Sequence, residues 1–246
     1  MNIIKSTIFR CINKVINTFF IIIDRVIFNG LSVYVFHNIV NNEKHIDGFT
    51  VDKNIFEKFI IHLLKIECKP KSIHDILNIQ KNNYIYDAFI ITFDDAFRGV
   101  YKYAYPILKK YNIPFIVFVS TSLIDKDGYL SEKEIKIMSK DSICTIASHG
   151  KDHIYYRELN EDDLYNQYNY SKRYLEKLTG KEIFAFAFPF GSYYACSYKN
   201  IRILQKTTYK IGFSTIPSKV IMKKLTSKYF VPRITMSNYR ILSLIS

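Results

Sequence analysis

The sequence predicts one α/β domain, built as an incomplete or distorted (β/α) barrel of about seven parallel strands and preceded by an amphipathic helix. Short apolar runs rich in β-branched and aromatic residues alternate with longer stretches of helical periodicity, a pattern typical of parallel strands joined by crossover helices. The length of 246 residues suits a single barrel. Because no repeat or linker divides the chain, we expect residues 1–30 to form a helical appendage and residues 31–246 to form one domain.

The predicted strands are the apolar runs that contain most of the β-branched and aromatic residues. They are Leu31–Phe36, Ala88–Phe93, Pro114–Val119, Ile143–Ala147, Ile183–Phe188 and Ile211–Phe213, with a further strand near Tyr229–Thr235. Helical periodicity marks Asp52–Lys65, Gly99–Tyr111 and, most clearly, Asn160–Thr179. In this last helix Asn160 suits the N-cap, and Gly180 suits the position that follows the last helical residue.

Composition limits the classes of partner. A hydrophobic content of 48% excludes a disordered chain. The net charge of +13 is compatible with nucleic acid, anionic lipid or an acidic polymer as partner. Because no dense block of lysine and arginine is present, we expect a solvated basic surface and no nucleic-acid partner. None of the four cysteines forms a C-x-x-C pair, which favours a reducing compartment.

Residues 3–29 have an apolar stripe of helical period, with the basic residues largely outside it. Such a helix lies in a membrane interface or packs on its own domain or a partner, and the sequence leaves both open. The apolar stretch Phe19–Ile23 is too short to span a bilayer, and no cleavable signal peptide is evident. We therefore expect a cytoplasmic protein, or one bound peripherally to the inner face of the membrane.

Polar residues with catalytic potential follow several predicted strands, at the rim where parallel barrels place their active sites. His37 follows the first strand, Asp94 and Asp95 follow the second, and His149 follows the fourth. Two adjacent carboxylates are costly to desolvate without a cation or a proton. Since neighbouring strand side chains point in opposite directions, we expect one aspartate to bind a metal ion and the other to remain free as a base. Capping of the next helix would explain only one of them.

His149 and His153 are four residues apart, which brings both imidazoles to one side of a helical turn or a tight loop. Two histidines and one carboxylate are a common catalytic metal set that leaves positions open for water and substrate. We therefore expect one divalent metal ion at this rim. The other histidines, His45, His62 and His74, lie away from strand ends and are interpreted as surface or packing residues.

Three motifs, in the same order along the chain, resemble those of the polysaccharide deacetylases, the NodB-homology group of carbohydrate esterases. Thr92–Asp95 resembles T-F-D-D-G, His149–His153 resembles H-[ST]-x-x-H, and Phe186–Gly191 resembles F-A-Y-P-Y-G. The resemblance extends over residues 31–235. It implies metal-dependent removal of N-acetyl groups from the sugars of a cell-surface polysaccharide or its precursor, with an N-acetylated glycan as the substrate.

The same resemblance implies a role for each matched residue. Asp95, His149 and His153 would hold the divalent ion, usually zinc in this family, and Asp94 would be the general base for the water that attacks the acetamide carbonyl.

The other implied roles concern the oxyanion and the leaving amine. The backbone N–H of Phe190, which follows Pro189, would help to hold the oxyanion. No histidine follows His153, so His37 is assigned as the general acid, as in the branch that resembles poly-N-acetylglucosamine deacetylases.

Three positions depart from the family pattern. Ala96 replaces a glycine, which we expect to be tolerated only if φ is negative there. Gly150 replaces a serine or threonine, so one hydroxyl beside the metal ligands is lost. Ala187 replaces an arginine that often pairs with the base, and we predict that Arg233 supplies this charge from the last strand.

Other functions remain open. Two histidines and an aspartate also form the iron site of non-haem oxygenases, although the strand–helix alternation and the adjacent Asp94 argue against that class. The three departures also fit a degenerate deacetylase that binds glycan without turnover. Within the same chemistry, the sequence leaves open a formyl group or another amide as the target.

Overall fold

We describe a computed structural model of the chain. It describes residues 30–41, 48–78, 87–218, 220 and 227–245. These residues form a curved parallel sheet flanked by helices, together with a separate two-stranded sheet. The predicted distorted (β/α) barrel is therefore confirmed. The predicted N-terminal helix, residues 3–29, and His45 lie outside the described residues.

The strands follow one another along the chain as β1 (Leu31–Phe36), β2 (Asn38–Val40), β3 (Thr50–Asp52), β4 (Lys69–Pro70), β5 (Ala88–Phe93), β6 (Phe115–Val119), β7 (Cys144–Ser148), β8 (Ala185–Ala187), β9 (Ile211–Phe213) and β10 (Ile234–Thr235). The main sheet has the order β10-β1-β5-β6-β7-β8-β9, with β4 also paired to β5. All pairings between these strands are parallel. Every residue of β5 and β6 is buried, which explains why both strands read as continuous apolar runs.

The helices are α1 (Lys53–Lys65), α2 (Ile73–Leu77), α3 (Tyr105–Lys110), α4 (Glu132–Lys140), α5 (Glu161–Thr179), α6 (Tyr198–Gln205) and α7 (Asn238–Ile245). A π-helical turn, Val100–Ala104, precedes α3, so the predicted helix Gly99–Tyr111 is only partly α-helical. Within the described residues, no helix has both the length and the apolar character needed to cross a membrane.

Helix α5 has the ends that the sequence predicted. The Asn160 side chain accepts a hydrogen bond from the Asp163 N–H, and Gly180 adopts the left-handed conformation at the C-terminus. Its buried face, which includes Leu164, Tyr168 and Leu175, packs against β7, α4 and α6. The helix is therefore a fixed support beside the strand that leads into His149.

The segment that precedes α7 connects the two edges of the sheet. Val231 forms a parallel bridge with Phe213 of β9, and Ile234 pairs with Tyr34 of β1. Only Ile234–Thr235 forms a regular strand, so the strand predicted near Tyr229–Thr235 is shorter than expected. This connection places Arg233 between β9 and β1, at the two sides of the curved sheet.

Candidate metal and catalytic site

Residues from three strand ends meet at one rim of the sheet. The N–H of Asp94 donates to the Phe36 carbonyl at 2.9 Å, and the N–H of His149 donates to the Val119 carbonyl at 2.9 Å. The backbone of each polar residue is thus hydrogen-bonded to the end of the neighbouring strand. The sequence-predicted convergence of these residues is present in the structure.

Asp95, His149 and His153 form a compact cluster whose ligand atoms all lie within 4.8 Å of one another. The Nε2 atoms of His149 and His153 lie 3.3 and 3.2 Å from Oδ1 of Asp95. Neither approach is a hydrogen bond by geometry, since this buried oxygen has no hydrogen-bond partner among the described residues. An acceptor oxygen without a donor, faced by two imidazole nitrogens, fits a shared cation. The three residues could therefore hold a metal ion.

The tautomer of His149 supports the same interpretation. Its Nδ1 lies 2.8 Å from the backbone carbonyl of Ala187. A carbonyl can only accept, so Nδ1 carries a proton, and in the neutral imidazole Nε2 is then the atom whose lone pair faces Asp95. His149 is 1% exposed, and the His149–His153 segment is an irregular loop rather than a helical turn. The close approach of the two rings therefore depends on how this loop is held.

Asp94 forms a buried ion pair with Arg233. Nη1 and Nη2 of Arg233 donate to the two Asp94 oxygens at 2.6 and 2.7 Å, and both side chains are almost inaccessible. Burial alone would raise the pKa of Asp94, but the Arg233 charge outweighs it and lowers the pKa below its ordinary value. Asp94 Oδ2 also lies 3.9 Å from Nε2 of His149. A charged carboxylate thus stands directly beside the possible metal ligands.

Asp95 is also a carboxylate at neutral pH. Burial raises its pKa, but contacts with His149 and His153 outweigh burial and bring the pKa to about 2. A deprotonated oxygen is the form that binds a cation.

The backbone conformation at Asp95 and Ala96 differs from the expectation. Asp95 and Ala96 have φ angles of 67° and 63°, so the expectation that an alanine at position 96 is tolerated only at a negative φ is wrong. The cause is tertiary: Ala96 is 2% exposed and its carbonyl accepts the Leu130 N–H at 2.9 Å. The side chains of Asp94 and Asp95 are separated by this left-handed turn rather than by strand alternation. A left-handed conformation costs a non-glycine residue about 1–2 kcal/mol.

Gly150 has a structural reason to lack a side chain. Its φ is 84°, and a Cβ atom there would lie 1.7 Å from the Tyr156 hydroxyl. Tyr156 is 2% exposed and its hydroxyl donates to Oε1 of Gln167 at 3.2 Å. The Tyr156 hydroxyl thus occupies the space that a serine or threonine side chain at position 150 would need.

His37 lies on the Asp94 side of the rim. Its Nδ1 is buried and has no hydrogen-bond partner among the described residues, while its ring packs edge-on against Phe49 at 5.0 Å. Burial lowers the pKa of His37 even though Asp94 and Asp95 act to raise it. A lowered pKa makes the imidazolium a stronger proton donor and reduces the protonated fraction at neutral pH.

Exposed aromatic rings border the His153 side of the rim. Pro189 is buried, but Phe190 is 41% exposed, and its ring centroid lies 4.5 Å from His153. Phe190 stacks on Tyr155 at 4.0 Å, and Tyr155 meets Tyr194 edge-on at 5.5 Å. These three rings form an apolar surface that leads away from the metal ligands.

Sequence reasoning missed three of these residues. Tyr155 and Tyr156 lie just after His153, and only the glycine at position 150 hinted that a bulky neighbour occupies that space. Nothing in the sequence marked Gln167, since its contacts are with a loop more than ten residues away.

Comparisons with known proteins found relatives of the chain in sequence and in fold. A family model described as polysaccharide deacetylase matches residues 81–211. A poly-beta-1,6-N-acetyl-D-glucosamine N-deacetylase of Staphylococcus aureus is 27% identical over 212 residues, which cover 80% of this chain and 71% of that protein.

Two solved structures share the fold. IcaB from Ammonifex degensii has a TM-score of 0.78 at 19% identity, over 89% of this chain and 96% of that one. The Streptococcus pyogenes deacetylase PplD, in complex with acetate, has a TM-score of 0.76 at 22% identity, over 88% and 98% of the two chains. At these identities the likeness establishes the fold alone.

Proposed function

The chain belongs to the polysaccharide deacetylase family, hydrolases of carbon–nitrogen amide bonds, and we propose that it removes N-acetyl groups from N-acetylglucosamine residues of a cell-surface polysaccharide or its precursor. The observation that carries the proposal is the buried Asp94–Arg233 pair standing 3.9 Å from the cluster of Asp95, His149 and His153. The Staphylococcus aureus relative, named for a polymer of this sugar, supports the choice of substrate.

In this proposal Asp95, His149 and His153 hold one divalent ion, and their two nitrogens and one carboxylate oxygen suit zinc. Such an ion supplies Lewis-acid polarisation of the acetyl carbonyl and a lowered pKa for water. Asp94 removes a proton from the attacking water. Its two oxygens receive one hydrogen bond each from Arg233, and each oxygen keeps a further lone pair as acceptor.

The leaving amine must receive a proton. His37 is the proposed donor, because its buried Nδ1 makes no hydrogen bond with a described residue. The backbone N–H of Phe190 is the proposed oxyanion donor. Phe190 has a left-handed φ of 63°, and its carbonyl accepts the Thr215 hydroxyl, which fixes the direction of the peptide groups around it.

The exposed rings of Phe190, Tyr155 and Tyr194 are the proposed contact surface for the apolar faces of the sugar rings. Arg157 lies over the Tyr194 ring with its guanidinium carbon 4.5 Å from the centroid, and this contact favours one orientation of the ring. A side chain that already prefers its bound orientation loses less entropy when a ligand binds.

Acetate release tests the proposal. Zinc-loaded protein would be incubated with N-acetylglucosamine oligomers beside Asp94→Asn, which is similar in shape but cannot accept the proton. We expect acetate from the wild type and a loss of about 100-fold or more in kcat for the variant. Equal rates for both would refute the role of Asp94. No acetate from metal-bound wild type would exclude this substrate and direct attention to another acyl group or to glycan binding alone.

A further inference from the structure

Each histidine of the metal cluster is preceded by a residue that is hydrogen-bonded to helix α5. Ser148 precedes His149, and its hydroxyl lies 2.7 Å from the Ser171 hydroxyl. Asp152 precedes His153 and makes two bonds with one amide group. Its N–H donates to Oε1 of Gln167 at 3.0 Å, and Nε2 of Gln167 donates back to Asp152 Oδ2 at 2.9 Å.

The two α5 residues form one support. Gln167 and Ser171 are four positions apart and therefore lie one turn apart on the same helix face. Ser171 is fully buried, and its hydroxyl also lies within hydrogen-bond distance of the Tyr168 carbonyl and the Tyr209 hydroxyl. The helix thus holds both ends of the His149–His153 loop at fixed points.

Three hydrogen bonds fix the side-chain amide of Gln167. Its Oε1 accepts both the Asp152 N–H and the Tyr156 hydroxyl, while its Nε2 donates to the Asp152 carboxylate. This arrangement uses both ends of the amide and selects one orientation of it. An irregular loop that carries two metal ligands needs this kind of constraint, because neither ligand is placed by regular secondary structure.

We propose that Gln167 is a positioning residue for the metal site, and that it fixes His153 relative to His149 through Asp152 while Ser171 fixes the other end of the loop. This inference rests on the proposed function only in requiring that the cluster binds a divalent ion. Partners of metal ligands change metal affinity by about 10–100-fold when they are removed, and we expect the same range here.

The test uses a charge change and its reversal. Gln167→Glu keeps an acceptor for the Asp152 N–H but sets a carboxylate against the Asp152 carboxylate. Asp152→Asn combined with Gln167→Glu restores one donor and one acceptor between the two side chains. The matched control is Asn166→Asp, the same change from amide to acid at the neighbouring exposed position of α5. Gln167→Met, which removes the bonds without adding charge, replaces the acid variant if that variant does not fold.

Each protein would be stripped of metal and titrated with Co²⁺, and the visible absorption of the bound ion would be recorded beside thermal unfolding of the metal-free form. We expect the dissociation constant to rise about 10–100-fold in Gln167→Glu with an altered spectrum, to return towards wild type in the double variant and to stay unchanged in the control.

Wild-type affinity and spectrum in Gln167→Glu would overturn the positioning role while leaving the metal site and the proposed reaction intact. A double variant that remains as weak as Gln167→Glu would also overturn it, since the loss would then come from general disruption. Failure of the wild type to bind cobalt would overturn both this inference and the proposed metal site.

Discussion

Removal of Arg233 should cost the protein a large part of its stability, because the buried carboxylate of Asp94 would lose the guanidinium that pairs with both of its oxygens. Arg233 is 0% exposed, and its side chain donates four hydrogen bonds, two to Asp94 and one each to the Thr92 hydroxyl and the Ser214 carbonyl. Arg233→Met keeps an unbranched side chain in the same space and removes the charge. Breaking a buried pair in this way costs about 3–5 kcal/mol.

For a chain of this size, that loss corresponds to a fall of about 6–20 °C in Tm. Urea and thermal unfolding would be followed by far-ultraviolet circular dichroism, since the chain has no tryptophan. The control is Arg240→Met, at an exposed arginine that bonds to the Thr235 carbonyl, where we expect a change below about 0.5 kcal/mol.

A double variant separates the lost ion pair from lost packing. Asp94→Asn combined with Arg233→Met leaves no uncompensated charge, so it should be more stable than Arg233→Met alone by about 2 kcal/mol or more. A loss below about 1 kcal/mol in Arg233→Met, or no recovery in the double variant, would refute the reasoning. Arg233 would then be a residue of the barrel wall and not the stabiliser of the charged base.

Three further outcomes follow from the site. His153→Ala should abolish the stabilisation that zinc gives the wild type, about 2.7 kcal/mol at a hundredfold excess over Kd, which thermal unfolding records as a rise in Tm; a full rise in the variant would remove His153 from the ligand set. Gly150→Ala should destabilise the protein by about 2 kcal/mol or more, since its Cβ would meet the Tyr156 hydroxyl at a φ of 84°, and urea unfolding that places the variant within error of wild type would contradict this. Tyr155→Ala should raise KM for oligomers by about fivefold to tenfold with little change in kcat, whereas Tyr239→Ala, at a 71% exposed tyrosine of α7, the helix that packs on α1, should leave both constants unchanged.

The sheet was largely predictable because its signal is local. The run Ala88–Phe93 is buried along its whole length, and its predicted bounds agree with the structure. Asn160 and Gly180 likewise marked both ends of α5. Helix α4 was missed although Ser131 and Glu134 form a capping box at its start, a signal that the sequence carries.

The short strands were harder to predict because tertiary contacts define them. The predicted strand Ile183–Phe188 contains only three residues with regular pairing, Ala185–Ala187. The two residues of β10 form a strand only because β1 lies beside them. No local pattern can supply that information, since the partners are some 200 positions apart in the sequence.

In the candidate site, too, some positions were predictable from the sequence and others depend on tertiary contacts. The positions of Asp94 and His149 follow from parallel topology, which brings the carboxyl ends of the strands to one rim, and His153 follows in the loop after His149. The alanine at position 96 gives no local signal for the left-handed turn, and the glycine of the family motif at this position is what indicated a positive φ. The surrounding contacts impose that turn, and the cost of about 1–2 kcal/mol for each strained residue is tolerated where it orients Asp95 towards the histidines.

Arg233 shows why the charge partner of the base need not occupy a fixed place in the sequence. Ala187 lies on β8, and its carbonyl orients His149. Its side chain is a methyl group, which cannot pair with the Asp94 carboxylate. Arg233 reaches Asp94 instead from the segment between Val231, beside β9, and Ile234, beside β1. A bidentate contact requires only that the guanidinium plane face the carboxylate within hydrogen-bond distance. The segment from Val231 to Ile234 meets that requirement here, because it places Nη1 of Arg233 within hydrogen-bond distance of both the Thr92 hydroxyl and the Asp94 carboxylate.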